Sequence, residues 1–248
     1  AIAGEKAFNW EKEFPEVFEK GGFDVVIGNP PYVQLQSIGK MSDAYAKCGY
    51  ESYNKSADLY CLFTERGFSL LKKNGLQSFI MPNKWMLADY GKELRKFMSK
   101  TSLQQIINFG DVQFFKDAAT IVCIFVIKKS EEKNKVLALS LNQKTYKGNF
   151  LQEIKDGLQE FSHETFNENI WQINDKRITM IFNKMKTIGK PLKNWAVEIN
   201  NGIKTGFNGN AFHSRSISRV RGKLIRSILE EAYRLCCRTR SQVRREIL

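Results

Sequence analysis

Asn29-Pro30-Pro31-Tyr32 is the stretch whose residue types and order could do chemistry. Two successive prolines fix φ near −65° and restrict Asn29 to extended backbone, so the corner is set before any ligand arrives. It offers an amide oxygen at Asn29, carbonyls without competing N–H groups at Pro30 and Pro31, and the aromatic face of Tyr32. That set suits a planar group bearing an NH2. Oxygens accept both N–H protons while the tyrosine ring stacks on the plane. Drawing on both protons pulls the nitrogen lone pair out of conjugation, which makes a poor nucleophile able to attack a methyl sulfonium. A neutral amine needs no general base beside it, because its proton can leave after the transfer. A strand followed by a Pro-rich turn is the plainer reading of the same residues.

The segment Phe23-Asp24-Val25-Val26-Ile27-Gly28 that leads into this corner, and the corner itself, resemble motif IV of S-adenosylmethionine-dependent amino-methyltransferases. The likeness is greatest to the DNA adenine-N6 enzymes, although glutamine-N5 protein and guanine-N2 RNA methyltransferases share the motif. Upstream, Phe8-Asn9-Trp10, Phe14-Pro15-Glu16-Val17-Phe18 and Gly21-Gly22 look like the approach to motif IV in the adenine-specific enzymes of type IIG restriction–modification systems. The similarity runs to about Phe212. It implies a site-specific DNA methyltransferase with S-adenosylmethionine as cofactor and double-stranded DNA as partner, beside a fused or separate endonuclease region. It also implies base flipping, since the target atom is inaccessible inside a duplex. Asn29, Pro30 and Tyr32 become the expected catalytic residues, with Pro31 against the substrate. Two rivals remain: a glutamine-N5 or guanine-N2 enzyme, and a DNA-binding remnant without catalysis.

The same resemblance exposes a gap. Such enzymes hold the cofactor on a Gly-rich loop after their first strand, upstream of motif IV. Only 28 residues precede Asn29, and Gly21-Gly22 reads as a turn. The expectation is the C-terminal part of a catalytic domain that does not bind the cofactor by itself. Asp58 is the one candidate cofactor contact, but it is also a good helix N-cap, and the cap is the favoured reading. Lys84, in Pro82-Asn83-Lys84-Trp85, follows a strand end, where α/β sheets place ligands, and is a candidate substrate contact. Phe115 is the candidate to sandwich the flipped base against Tyr32, with core packing as its alternative. Lys204 and Thr205 are candidate phosphate contacts, which position DNA rather than specify its sequence.

Behind these candidates lies an alternation of strand and helix signals, which argues for an α/β fold, a partial Rossmann-like sheet. Phe23–Ile27 reads as a central strand buried on both faces. Residues 33–57 read as a long irregular connection, functional or disordered. A helix is expected over Leu59–Lys73, closed by Asn74-Gly75, then a strand Leu76–Met81, an amphipathic helix Tyr90–Met98, and strands Leu103–Phe109 and Thr120–Ile127. After Glu131-Glu132-Lys133-Asn134-Lys135 the character changes, so three regions are expected: 1–130, the catalytic part; 131–211, the start of a target-recognition domain; and 212–248, a tail.

Composition separates the tail from the rest. Residues 1–211 hold 26 Lys and 3 Arg against 23 acidic residues, whereas 212–248 hold 1 Lys and 9 Arg against 3. The switch coincides with the end of the resemblance, so the tail reads as out of frame or foreign, with an Arg-rich DNA-binding segment as the alternative. The net charge of +13 is therefore weak support for a polyanion partner. The longest apolar run, Ala118 to Ile127, is too short to span a bilayer. The five cysteines and two histidines show no metal spacing, and a reduced cytoplasmic setting without metal is expected.

Overall fold

A computed structural model describes residues 8–112, 120–142 and 146–173, together with 181, 184, 185, 187–190 and 194. Six strands form one mixed sheet: β1 (Phe23–Gly28), β2 (Leu71–Pro82), β3 (Ser102–Asn108), β4 (Val122–Lys128), β5 (Val136–Ser140) and β6 (Gln159–Phe161). Their spatial order is β1-β2-β4-β3-β5-β6. The pairs β1–β2 and β3–β5 are parallel, and β4 runs antiparallel to both of its neighbours, as β6 does to β5. The helices are α1 (Trp10–Glu13), α2 (Pro15–Phe18), α3 (Lys40–Ala46), α4 (Leu59–Ser69), α5 (Lys92–Lys100) and α6 (Phe150–Gly157). The expected α/β class holds.

Two cores lie on opposite faces of the sheet. On one face Tyr60, Cys61 and Leu62 of α4 and Leu94, Phe97 and Met98 of α5 pack with Phe79, Met81 and Phe125. On the other, Phe109 and Phe150 gather with Ile107, Val122 and Ile124. Alternation along β2 and β4 assigns residues to the two faces, since successive strand side chains point oppositely.

Two expectations are corrected. First, β1 is not a central strand. It is the edge of the sheet, and none of its six residues is buried. An apolar run buries itself only if neighbours exist on both sides, and among the described residues β1 has one. Second, α4 stops at Ser69 rather than Lys73, because the backbone that follows is taken by other strands. The Phe23 amide donates to the Leu70 carbonyl at 2.9 Å, and Asn74 and Gly75 exchange bonds with Lys129 at 2.8 and 2.9 Å. Tertiary pairing outweighs local helix propensity there. The sheet also continues past residue 130. Strands β5 and β6 extend it, Phe166, Trp171 and Ile173 join the α4/α5 core, and the compact unit runs to Ile173. A second unit spans Asn174–Val220, where the described residues 181, 184, 185, 187 and 188 are helical.

The 33–57 connection is pinned along its length. Leu35 and Ala57 are fully buried. The Glu65 carboxylate accepts from the backbone N–H groups of Glu51 at 3.1 Å and Ser52 at 2.8 Å. The Ser52 hydroxyl donates to the Cys61 carbonyl at 3.1 Å. Among the described residues no helix is long and apolar enough to cross a membrane.

Candidate active site

Strand β1 ends at Gly28 and delivers Asn29, Pro30, Pro31 and Tyr32 to one end of the sheet. Pro30 is buried and anchors the corner, while Asn29 and Pro31 are exposed. The chain then runs antiparallel to the approach of α4: Leu59 donates to the Val33 carbonyl at 2.8 Å, and Leu35 to the Ala57 carbonyl at 2.9 Å. This pairing brings Asp58, at the N-terminus of α4, beside the corner.

Tyr32 has its hydroxyl tied down and its ring in part open to solvent. The hydroxyl donates to the Ile80 carbonyl at 3.4 Å, and the ring meets Tyr60 edge to face with centroids 6.4 Å apart. Burial pushes the phenol up to about 12, so it stays protonated at neutral pH and remains a donor. Behind it, the hydroxyls of Tyr60 and Tyr90 are 3.1 Å apart. Asp58 occupies the N-cap position but its side chain makes no capping bond, so the cap expectation is corrected. Burial raises its carboxyl above the usual range, against the opposing effects of the Tyr60 hydroxyl and the Lys84 charge. The carboxylate faces this polar cluster instead of the helix.

Lys84 is exposed at the start of a 3-10 turn, Lys84–Met86, directly beyond β2. The next residue, Trp85, is fully buried and belongs to the core. Arg95 holds this turn from below. Its side chain is 3% exposed, and it donates to the carbonyls of Trp85, Ala88 (2.8 Å) and Glu168 (3.0 Å). Trp171 closes the other side, its amide donating to Met86 at 2.8 Å and its ring 5.0 Å from that of Trp85.

Asn108 ties together the other strand ends at this edge. Its Oδ1 accepts from Asn83 Nδ2 at 2.7 Å and from the Gly110 amide at 3.1 Å, while its Nδ2 donates to Ser140 Oγ at 3.2 Å. Gly110 has φ +59°, and a Cβ there would lie 1.8 Å from the Leu141 carbonyl oxygen, so only glycine fits the turn. Residues 113–119 follow; Phe115 lies outside the described residues, as do Lys204, Thr205 and the 212–248 tail.

The structure thus gathers Asn29, Pro30, Pro31, Tyr32, Asp58 and Lys84 at one edge. Sequence reasoning missed Tyr60, Tyr90, Arg95 and Asn108. Tyr60 stood in the Asp58-Leu59-Tyr60 triplet, two residues from a candidate, but the other three depend on partners distant in sequence. Gly21-Gly22 supplies no cofactor cradle: a Cβ on Gly22 would sit 2.5 Å from the Leu70 carbonyl, so that turn is filled by packing against the entry to β2.

The mixed sheet shares its fold with a solved structure of low sequence identity. A chain described as the modification subunit of a type I restriction enzyme from Vibrio vulnificus superposes with a TM-score of 0.50, at 14% identity over 68% of this chain and 41% of that one. Residues 1–115 match the Eco57I restriction-modification methylase family. The type II restriction enzyme and methyltransferase RM.Eco57I of Escherichia coli is 32% identical over 77% of this chain. The type II methyltransferase M.XhoI of Xanthomonas vasicola is 34% identical over 46% of it. This chain spans 19% and 21% of the lengths of those two relatives.

Proposed function

We propose that this chain supplies the acceptor-holding part of a DNA methyltransferase that modifies the N6 amino group of adenine in duplex DNA within a restriction–modification system. The exposed Asn29 amide beside the half-open ring of Tyr32 is the observation that carries the reading. S-adenosylmethionine, held on a part of the protein other than the described residues, would supply an electrophilic methyl group. The residues here bind and orient the amine. Asn29 and the Pro30 carbonyl accept its two protons, Tyr32 stacks on the ring, and the Lys84 charge sits where backbone phosphate would pass. Asp58, half-buried beside the corner, would meet the cofactor from the acceptor side. Phe115 would close the pocket opposite Tyr32. Lys204 and Thr205 would touch phosphate in a target-recognition domain.

Stacking makes a separable prediction, tested with the chain joined to a cofactor-binding half and with 2-aminopurine at the target position. Tyr32→Phe keeps the ring and loses one long hydrogen bond, so it is expected to bind and flip nearly as well as the wild type. Tyr32→Ala is expected to cost about 1–3 kcal/mol of binding to the extruded base. The fluorescence gain that marks an unstacked base should survive in the Phe variant and fall in the Ala variant. Equal losses in both would assign the effect to the hydroxyl and end the stacking account.

A further inference from the structure

Lys84, Trp85, Met86 and Leu87 make a turn that leaves two long side chains facing solvent. Trp85 and Met86 are buried, whereas Lys84 is exposed and Leu87 is 57% exposed. A single exposed leucine is ordinary protein surface. This one is set apart by what holds it. The buried Arg95 binds the carbonyls of Trp85 and Ala88, on either side of Leu87, and that of Glu168. At the base of the turn the Asn83 backbone N–H donates to the Ile121 carbonyl at 3.0 Å, and Asn83 Nδ2 donates to Asn108 Oδ1 at 2.7 Å. The peptide group joining Ile170 to Trp171 donates to the one joining Met86 to Leu87 at 2.8 Å, which brings Ile170, 50% exposed, alongside Leu87. Burying a guanidinium carries a desolvation cost, so the fold fixes this turn at some expense in stability.

The turn stands at the end of the sheet that carries the Asn29 corner. Strands β1 and β2 are parallel neighbours, the Tyr32 hydroxyl reaches the Ile80 carbonyl of β2, and the Lys84 charge is felt at Asp58. Drawing a base out of a duplex leaves a gap in the stack. Apolar side chains such as leucine and isoleucine enter unstacked steps of this kind, and they hold a gap open only if the backbone behind them does not give way. A cation beside such a side chain fixes its register on the phosphates. We infer that Leu87, with Ile170 beside it, is an apolar wedge that enters the stack of duplex DNA as the target adenine leaves it, with Lys84 on an adjoining phosphate. The inference rests on the methyltransferase reading above.

The test uses the chain joined to a cofactor-binding half and two duplexes, one with the target adenine paired with thymine and one with it mismatched with cytosine. Leu87→Ala is expected to lower single-turnover methyl transfer at the paired adenine at least about tenfold, and at the mismatched adenine no more than about threefold, because a mismatch has already removed part of the cost of extrusion. Leu87→Met keeps the bulk and should stay near the wild type on both. Lys84→Ala should weaken binding to both duplexes alike and reduce the slope of its salt dependence by about 1. No loss in Leu87→Ala, or equal losses on the two duplexes, overturns the wedge. Equal losses with a lowered thermal transition would show that Leu87 packs against another part of the protein instead. A salt slope unmoved by Lys84→Ala overturns the placement of Lys84 on phosphate. A wild type that methylates adenine no better than Leu87→Ala sinks the wedge alone, whereas a wild type that leaves adenine unlabelled sinks the proposed function and the wedge with it.

Discussion

Asn29→Ala, in this chain joined to a cofactor-binding half, is expected to lower the methyl-transfer rate by about 100-fold or more. The side chain is exposed at the tip of a corner whose anchor, Pro30, is buried, so its removal leaves the fold intact. Its amide oxygen matters most when the amine nitrogen becomes tetrahedral and its protons turn acidic. An interaction that strengthens in the transition state is lost from turnover and not from ground-state binding. Duplex affinity should therefore stay within a few-fold of the wild type, while single-turnover transfer collapses. Retention of more than about a tenth of the rate, a barrier change below about 1.4 kcal/mol, would remove Asn29 from the chemistry.

Arg95→Met is expected to produce the largest loss of stability, roughly 2–5 kcal/mol, through carbonyls left without a donor. The guanidinium is nearly fully buried and holds the carbonyls of Trp85, Ala88 and Glu168 together. Methionine fills similar space but leaves three acceptors facing an apolar side chain, and each buried acceptor without a donor costs about 1–3 kcal/mol. Arg95→Lys should recover only part of the loss, because one ammonium cannot reproduce a planar fork. Urea denaturation of the chain measures both. The Lys84 turn should loosen first, with amide exchange over 84–91 rising ahead of global unfolding. A cost below about 1 kcal/mol in the Met variant would show that the packing of Trp85 against Trp171 holds the turn without Arg95.

The corner was legible in the sequence because its chemistry is local. Asn29, two prolines and Tyr32 carry their own geometry, and the strand before them needs no distant partner to be recognised. The helix starting at Leu59 and the strands around 76–82, 102–108 and 122–128 were legible for a similar reason, through periodicity and length. What failed was long-range. The burial of β1 was overestimated because an apolar run reports what a strand would prefer and not which neighbours it has. The end of α4 was misplaced because Leu70 and Gly75 bond to Phe23 and Lys129, residues about fifty positions away. Arg95 lies in the helix expected over Tyr90–Met98, where periodicity alone gives it no role; only the approach of Glu168 and the Trp85 turn makes it a buried clamp. Asn83 and Asn108, 25 residues apart, gave no sign that their amides meet.

Asp58 shows a different limit. Its position before Leu59 is that of a capping residue, and the backbone there is extended as a cap requires. Its side chain nevertheless turns toward Tyr60 and Lys84. Two uses compete for one carboxylate, and the choice depends on the Val33–Leu35 segment lying alongside 57–59, which the sequence does not announce.

The central claim, that this chain holds adenine for methylation at N6, is tested most directly by identifying the product. Duplex DNA is incubated with radiolabelled S-adenosylmethionine and the chain joined to a cofactor-binding half, then digested to nucleosides and separated. The account predicts label in N6-methyldeoxyadenosine, absent when Asn29 is alanine. Label in a cytosine product, or in protein glutamine with none in DNA, would contradict it.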